Sequence, residues 1–230
     1  MTIDIYELCG ADEELLFSPH CWKTRMSLAH KGLDYTVIPT PFTKVATIEG
    51  GENRKVPVIR DGETVVEESY EIAKYLDRTY PDTPSLFNGE GCEALTQFII
   101  SWSMTQIHPN VAKLCLLDIH NTLAPEDMAF FRTTRENLFG CTLEEFDAKF
   151  PKNNEALLAA LAPLENMLGR QNFLGGDAPL FADYVVFGSL QWLRTTCQID
   201  HLPKEGNVAD WFNRLLDMYD GMGRKAKTAA

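Results

Sequence analysis

Ser18-Pro19-His20-Cys21 is the most informative stretch of this chain. It has the shape of a Cys-Pro-x-Cys redox motif in which serine occupies the leading position. A C-x-x-C pair at a helix start performs disulfide exchange through an activated first thiol, and a serine hydroxyl cannot form a disulfide. What survives is a helix N-terminus with free amides and partial positive charge, where Ser18 can donate a hydrogen bond to a thiolate supplied by a ligand. Taken alone, the four residues favour a simpler interpretation, with Ser18 as an N-cap and Pro19 as the first helical residue.

The sequence around this stretch predicts alternating strands and helices. Residues 3–8 alternate between apolar and polar side chains, which is the pattern of a half-buried strand. The helix that begins at Ser18 ends near Gly32. Further strands are predicted for residues 35–38, 56–59 and 64–66, with a tight turn at Asp61-Gly62 and a helix from Ser69 that has Ile72, Leu76 and Tyr80 on one face. This order is a thioredoxin-like arrangement, in which a right-handed crossover pairs the first strands in parallel.

Strand signals stop after residues 81–84, which have the composition of a linker. Helices are predicted for residues 94–107, 126–146, 155–168, 181–196 and 208–219. Pro109 and Pro163 are expected to kink or break their helices. The predicted fold is therefore an α+β thioredoxin-like domain at residues 1–82, a linker at 83–90 and an all-α domain at 91–230.

Composition and charge limit the classes of function. The chain has 230 residues and a formal net charge of -12, which argues against nucleic acid or an anionic membrane as a partner. The N-terminus is not that of a signal peptide, and no apolar run approaches the length of a membrane span. Six scattered cysteines without a secretory signal predict reduced thiols in a cytoplasmic protein, and no Cys and His cluster has the spacing of a metal site.

Two further motifs are candidates for ligand binding. If the Val56-Pro57 bond were cis, the backbone of Val56 would offer its N–H and C=O to a peptide ligand, although a cis bond occurs in only about 5–6% of X-Pro pairs. Ser69 at a helix start suits a carboxylate, and Glu68 beside it suits an ammonium group, so the pair matches an α-amino acid. The simpler alternative is an ordinary N-cap beside a solvated acid.

Together these motifs resemble the serine-dependent branch of the glutathione transferase family, from residue 3 to about residue 224. The residues that carry the resemblance are Ser18-Pro19-His20-Cys21-Trp22-Lys23-Thr24-Arg25, Lys55-Val56-Pro57-Val58-Ile59, Glu67-Glu68-Ser69 and Ala182-Asp183-Tyr184. The resemblance implies the glutathione transferase fold, with glutathione bound by the first domain and the electrophile by the helical domain. It also implies a homodimer.

The resemblance assigns roles to individual residues. Ser18 is expected to stabilise the glutathione thiolate, and Val56, before a cis Pro57, to bond the cysteinyl backbone. Glu68 and Ser69 are expected to bind the γ-glutamyl end. For the glycyl carboxylate the candidates are Lys44 and Lys55.

Two positions depart from the family pattern. The helix near Asp183 has Leu180 where a capping Ser or Thr is usual, so Asp183 is expected to cap the free amides alone. Cys21 is a candidate for a second thiol at the site, one turn from Ser18. A finer resemblance, to the bacterial β-etherases, is carried by Phe87-Asn88-Gly89, Leu117-Asp118-Ile119-His120-Asn121, Arg135-Glu136-Asn137 and residues 217–224.

The predicted chemistry is attack of a glutathione thiolate on an electrophile, such as a β-aryl ether or another flat aromatic. Trp102, Met104, Phe131 and Trp192 are candidates to line its pocket, and core packing is their default interpretation. Three alternatives stay open: a glutathione-binding module without turnover, an isomerase that returns glutathione unchanged, and a thiol transferase that works through Cys21.

Overall fold

A mixed four-stranded sheet organises the first part of the molecule. The computed structural model describes residues 2–52 and 54–230. The strand order is β2-β1-β3-β4, with β1 parallel to β2 and the other neighbours antiparallel. The strands are β1 (Ile3–Leu8), β2 (Tyr35–Thr40), β3 (Val58–Asp61) and β4 (Thr64–Glu67), and the helices of this part are α1 (Pro19–His30), α2 (Phe42–Val45) and α3 (Ser69–Thr79), with a 3-10 turn at Ile48–Gly50.

The apolar spacing of the sequence explains how α1 and α3 pack. Trp22 and Met26 of α1 are fully buried, as are Ile72 and Leu76 of α3. On β1 the alternate residues Ile3 and Ile5 are buried, as the period of two requires. The crossover from β1 through α1 to β2 gives the parallel pair that the sequence predicts.

Among the described residues, the second part has helices and no strand beyond an isolated bridge between Phe173 and Gly176. Its helices are α4 (Glu90–Trp102), α5 (His108–Thr122), α6 (Pro125–Phe139), α7 (Leu143–Lys149), α8 (Glu155–Leu168), α9 (Phe181–Thr196) and α10 (Asn207–Gly221). The predicted fold class, a thioredoxin-like domain followed by an all-α domain, is confirmed. Within residues 2–52 and 54–230, no helix is long and apolar enough to cross a membrane.

Helix α9 is the central element of the helical part and packs directly against α1 of the first part. All of its residues except Arg194 are buried. At the contact with α1, a Cβ on Gly188 would overlap the carbonyl oxygen of Pro19. The absence of a side chain at Gly188 therefore lets the first turn of α1, which Ser18 caps, lie directly against α9.

The two prolines do not break the chain in the way the sequence suggests. A π-helical segment at Ser103–Ile107 joins α4 to α5, and Pro109 lies in the first turn of α5. A widened turn shifts the hydrogen-bond register, which accommodates a proline ring within a continuous helical path. Pro163 lies inside an uninterrupted α8. It has no N–H to donate to the carbonyl of Ala159, but Ala159 is exposed, so water can donate a hydrogen bond to that carbonyl instead.

The predicted helix at residues 126–146 is in fact two helices. Helix α6 ends at Phe139, and Gly140 follows with a φ of +69°. Helix α7 then begins with a capping box, because Thr142 Oγ1 accepts from Glu145 N at 3.1 Å and Glu145 Oε2 accepts from Thr142 N at 2.9 Å. The Gly and the Thr-x-x-Glu spacing were both present in the sequence as stop and start signals.

Candidate functional site

Ser18 caps α1 and keeps its own hydroxyl proton available. Its Oγ accepts a hydrogen bond from Cys21 N at 3.3 Å, and its side chain lies at the helix N-terminus. The residue is 4% exposed. Because the oxygen acts here as an acceptor, the O–H can still donate to an incoming anion. The N-cap interpretation and the ligand interpretation are therefore compatible in this geometry.

Cys21 is not placed to act as a second nucleophile. It is fully buried, and its Sγ lies 3.9 Å from the carbonyl oxygen of Tyr6. Burial raises the pKa of the Cys21 thiol to about 12, and the nearby Glu7 adds to the shift. A thiol with this pKa carries almost no thiolate at neutral pH, and thiolate is the form that exchanges with disulfides. The geometry disfavours a thiol transferase that works through Cys21.

The Val56–Pro57 peptide bond is cis, as the resemblance implies. Val56 is half-buried and Pro57 is buried at the entrance to β3. The Pro57 carbonyl oxygen accepts a hydrogen bond from Glu68 N at 3.2 Å. This bond connects two of the motifs that the sequence singles out, although 11 positions separate them.

Glu68, rather than Ser69, caps α3. Glu68 has a φ of +71°, and its Oε2 accepts from the amides of Tyr70 at 3.2 Å and Glu71 at 3.4 Å. The buried Ser69 is the first helical residue, and its hydroxyl donates to Glu68 Oε1 at 3.1 Å. The expected serine cap is wrong because the longer Glu68 side chain folds back over the helix start. A ligand carboxylate at this helix start would compete with the Glu68 carboxylate for the same amides.

The two candidate lysines lie at the edge of this group. Lys44 is exposed on the four-residue α2, and Lys55 is exposed just before the cis bond. Hydrogen bonds link Pro57, Glu68 and Ser69 to one another, and neither lysine takes part in them.

A buried basic cluster next to Ser18 was not predicted. Lys23 is 4% exposed, and its Nζ donates to His20 Nδ1 at 3.1 Å. Burial lowers the pKa of Lys23 to about 8, and the negative field of Glu68 offsets part of that effect. The His20 ring lies 5.6 Å from the ring of His108, whose pKa burial lowers to about 4. The sequence signal for this cluster was the i, i+3 spacing of His20 and Lys23 beside apolar residues that are buried in the fold.

A second unpredicted feature is the way α6 holds α2. Asp127 is 3% exposed, and its Oδ2 and Oδ1 accept from Phe42 N and Thr43 N, each at 2.9 Å. Charge-assisted bonds of this kind stabilise a helix start. The helical part therefore positions the short helix that carries Lys44.

The described residues contain no group of three or more His, Cys, Asp or Glu side chains that could hold a metal ion. The arrangement at Ser18 instead offers hydrogen-bond donors and a helix N-terminus, which suit a negatively charged sulfur or oxygen.

Comparison with known families covers both parts of the chain. A model of the glutathione S-transferase N-terminal domain matches residues 14–84, and a model of the C-terminal domain of the same family matches residues 94–218. The second match alone spans more than half of the chain.

Similar proteins and structures extend over most of the length. The glutathione S-transferase-like protein ustS of Aspergillus flavus is 27% identical in an alignment of 204 positions that covers 76% of this chain and 74% of that protein. The crystal structure of glutathione transferase GSTFuA2 from Phanerochaete chrysosporium is 28% identical with a TM-score of 0.75, and covers 98% of this chain and 95% of its own. The structure of the glutathione S-transferase CsGST83044 of Ceriporiopsis subvermispora, in complex with glutathione, is 25% identical with a TM-score of 0.80, and covers 96% of this chain and 98% of its own.

Proposed function

Because the chain belongs to the glutathione S-transferase family, we propose that it binds glutathione and that Ser18 donates a hydrogen bond to the glutathione thiolate. The activated thiolate then attacks an electrophile. The observation that carries this proposal is the geometry of Ser18, whose hydroxyl proton is available at the N-terminus of α1 while Cys21 is buried and protonated. Ser18 is then the activating residue of a serine-type transferase.

The energetics of activation are sufficient without a neighbouring cation. A free thiol with a pKa near 8.5 is only a few per cent thiolate at neutral pH. Lowering that pKa by about 2 corresponds to about 2.7 kcal/mol. A hydrogen bond from Ser18 to an anion supplies about 1.5–3 kcal/mol, and the α1 dipole adds ~0.3–1 kcal/mol.

The remaining site residues bind the tripeptide along its length. In this proposal the backbone of Val56, before Pro57, bonds the cysteinyl unit, while Glu68 and Ser69 take the γ-glutamyl ammonium and carboxylate. Binding requires the Glu68 carboxylate to exchange its bonds with the α3 amides for bonds to the ligand ammonium. Lys44 and Lys55 are the candidates for the glycyl carboxylate.

Calorimetric titration with glutathione tests the binding site. We expect binding by the native protein and its loss in the Glu68→Ala, Ser69→Ala double variant. The exposed neighbour Glu63→Ala provides a matched control on the β3–β4 turn. An absence of binding at millimolar glutathione would contradict the proposal.

For the electrophile we propose a β-aryl ether or a similarly flat aromatic, bound in the cleft between the two domains. Trp102 and the partly exposed Met104 lie at the start of the π-helical segment, whereas Trp192 packs on His108 and Phe131 packs on Phe42. A fluorogenic β-aryl ether, assayed beside a haloarene, separates an etherase from a general transferase. Phenol release that equals the Ser18→Ala rate, with ready conjugation of the haloarene, would exclude the etherase.

The non-catalytic and isomerase alternatives predict different products. A binding module releases no conjugate, and an isomerase returns free glutathione, so mass spectrometry of the reaction mixture distinguishes both from a transferase.

All six cysteines are free of disulfides, which supports the proposal of a reducing, cytoplasmic location. We also propose a homodimer and the domain bounds 1–82 and 91–230.

A further inference from the structure

Arg135 of α6 is a half-buried guanidinium without an acidic partner among the described residues. Its Nη1 donates to Thr134 Oγ1 at 3.2 Å, and burial alone lowers its pKa. Arg132, one turn earlier, pairs instead with Glu136 and Glu144, each at 2.8 Å. The chain has 33 acidic and 21 basic residues. Although acidic residues are in excess, none of the described ones pairs with this guanidinium. Its desolvation therefore costs free energy that a bound anion would offset.

Two aromatic rings hold the Arg135 guanidinium. Its Cζ lies 4.7 Å from the ring centroid of Phe131 and 5.9 Å from that of Phe42. The two rings pack against the guanidinium without using its N–H groups, which lie in its plane as a fork that matches a carboxylate. Because ring faces replace water beside it, a hydrogen bond from Arg135 to an anion is stronger here than on an open surface.

Phe42 places this guanidinium next to the proposed glutathione site. Phe42 is the first residue of α2, which carries Lys44. Its ring centroid lies 6.2 Å from that of Phe17, the residue before Ser18. Asp127 of α6 binds the first two amides of α2. Arg135 of α6 therefore lies near the place where α2 meets the start of α1.

We propose that Arg135 is a carboxylate-binding residue at the boundary between α2 and α6, so that the helical domain supplies part of ligand recognition. This inference rests on the proposed function. The carboxylate has two possible sources, the glycyl end of glutathione and an acidic group on the electrophile. In either case Arg135 orients the ligand relative to Ser18 and takes no part in bond making.

The first arm of the test compares glutathione with two ligands that lack the free glycyl carboxylate, γ-glutamylcysteine and the glycyl ethyl ester of glutathione. If the glycyl end is the source, Arg135→Gln weakens glutathione binding by roughly 10- to 100-fold, the loss expected for hydrogen bonds to a charged group. Binding of the two truncated or esterified ligands then stays within about twofold of the native protein.

The second arm compares a neutral haloarene with the same haloarene that bears a carboxylate, at saturating glutathione. If the electrophile is the source, Arg135→Gln raises the KM of the acidic haloarene by a similar factor and leaves the KM of the neutral one unchanged. Arg132→Gln, on the same helix, is the matched control and leaves all of these ratios unchanged. Arg135→Lys keeps the charge and the aliphatic stem but not the fork, so we expect it to recover part of the affinity.

Each arm compares different ligands on the same variant, so a change in the fraction of folded protein cancels. A loss selective for glutathione in the first arm, or for the acidic haloarene in the second, supports the inference. Native affinity of Arg135→Gln for glutathione, together with an unchanged ratio of haloarene KM values, overturns the inference and leaves the proposed function intact. A native protein that binds no glutathione at millimolar concentration overturns both.

Discussion

At the scale of single residues, Ser18 is the position whose substitution tests the chemistry most directly. Ser18→Ala removes the proposed hydrogen-bond donor to the thiolate, so we expect a loss of about 1.5–3 kcal/mol. We expect kcat to fall by roughly 10- to 100-fold. The apparent pKa of bound glutathione, followed by thiolate absorbance during a pH titration, is expected to rise by about 1–2.

Cys21→Ala is the control for this prediction. It removes the nearby thiol without leaving a buried hydroxyl, and we expect it to retain most of the conjugation activity. Activity that survives in Ser18→Ala and disappears in Cys21→Ala would contradict the assignment and favour the thiol transferase. Ser18→Cys is expected to gain disulfide exchange, because it places a thiol of lowered pKa at a helix start.

The lowered pKa of the buried Lys23 predicts that its contribution to stability depends on pH. Its pKa falls from 10.5 to about 8 on folding because of burial. Between these values the unfolded chain holds a proton that the folded protein has lost, so the free energy of unfolding rises with pH across this window. Below pH 8 both states are protonated, and the buried ammonium costs the folded state about 3 kcal/mol.

Lys23→Met keeps the length of the side chain and removes its charge. We expect the variant to be more stable than the native protein at pH 7 and to lose that advantage as the pH approaches 10.5. Urea unfolding at pH 7, 8.5 and 10 measures the difference, and ionisations common to both proteins cancel in it. Lys74→Met, at a partly exposed pair with Glu71, is the control. If the difference in free energy of unfolding between Lys23→Met and the native protein stays constant across this pH range, the prediction is contradicted.

Residues whose role depends on local chain geometry could be identified from the sequence. The cis bond before Pro57 and the position of Ser18 at a helix start both follow from neighbouring residues. Lys23 and Arg135 could not be identified in this way. The environment of Lys23 includes His108, and that of Arg135 includes Phe42, each more than 80 positions away in the chain. A sequence pattern shows that a side chain is polar but not which distant face will cover it.

At the scale of secondary structure, Asp183 connects the start of α9 to its surroundings. Its carboxylate accepts four hydrogen bonds within 3.0 Å, from the amides of Leu174, Gly175 and Leu180 and from Trp211 Nε1. The sequence predicted that Asp183 would cap the helix alone, and the structure adds the preceding loop and α10 to its partners. Asp183→Ala leaves these donors unpaired, so we expect a loss of about 3–5 kcal/mol.

Thermal unfolding measures this effect. For a chain of this size a loss of that magnitude lowers Tm by roughly 10 °C. Asp177→Ala, at an exposed aspartate in the same loop, is expected to change Tm by less than about 2 °C. Similar Tm values for both variants would show that the cap contributes little to stability.

The sequence predicts elements best where caps and apolar spacing agree. Helices α8 and α9 have the bounds that their patterns predict, 155–168 and 181–196. Helix α5 was missed because Pro109 is a strong breaker signal, and the π-helical segment that accommodates it has no signature in the local pattern. The parallel pairing of the first two strands followed from topology rules, whereas the close contact of α1 with α9 at Gly188 depends on tertiary packing.

At the scale of the whole molecule, the candidate site lies where the two parts of the chain meet. Pro19 and Lys23 of α1 pack against Gly188 of α9, and His20 lies beside His108. Asp127 of α6 binds the first two amides of α2. The first part alone thus carries the predicted glutathione residues, but the helical part sets the positions of α1 and α2. This explains why the sequence offers candidate residues for the glutathione end of the site and leaves the electrophile end open.

The proposed homodimer requires an apolar surface that a second copy can cover, and α4 presents one. Leu95 and Phe98, one turn apart, are each 69% exposed, which is unusual for side chains of this size. We expect light scattering at micromolar concentration to give a mass near twice 25.9 kDa. In the Leu95→Glu, Phe98→Glu variant we expect the mass to shift toward that of one chain, because the interface would bury two charges without partners. Ile199→Glu, at a 58% exposed site after α9, is the control that keeps the native mass. A native protein with the mass of one chain across the micromolar range would contradict the dimer, and an unchanged mass in the α4 variant would contradict the assignment of its interface to this helix.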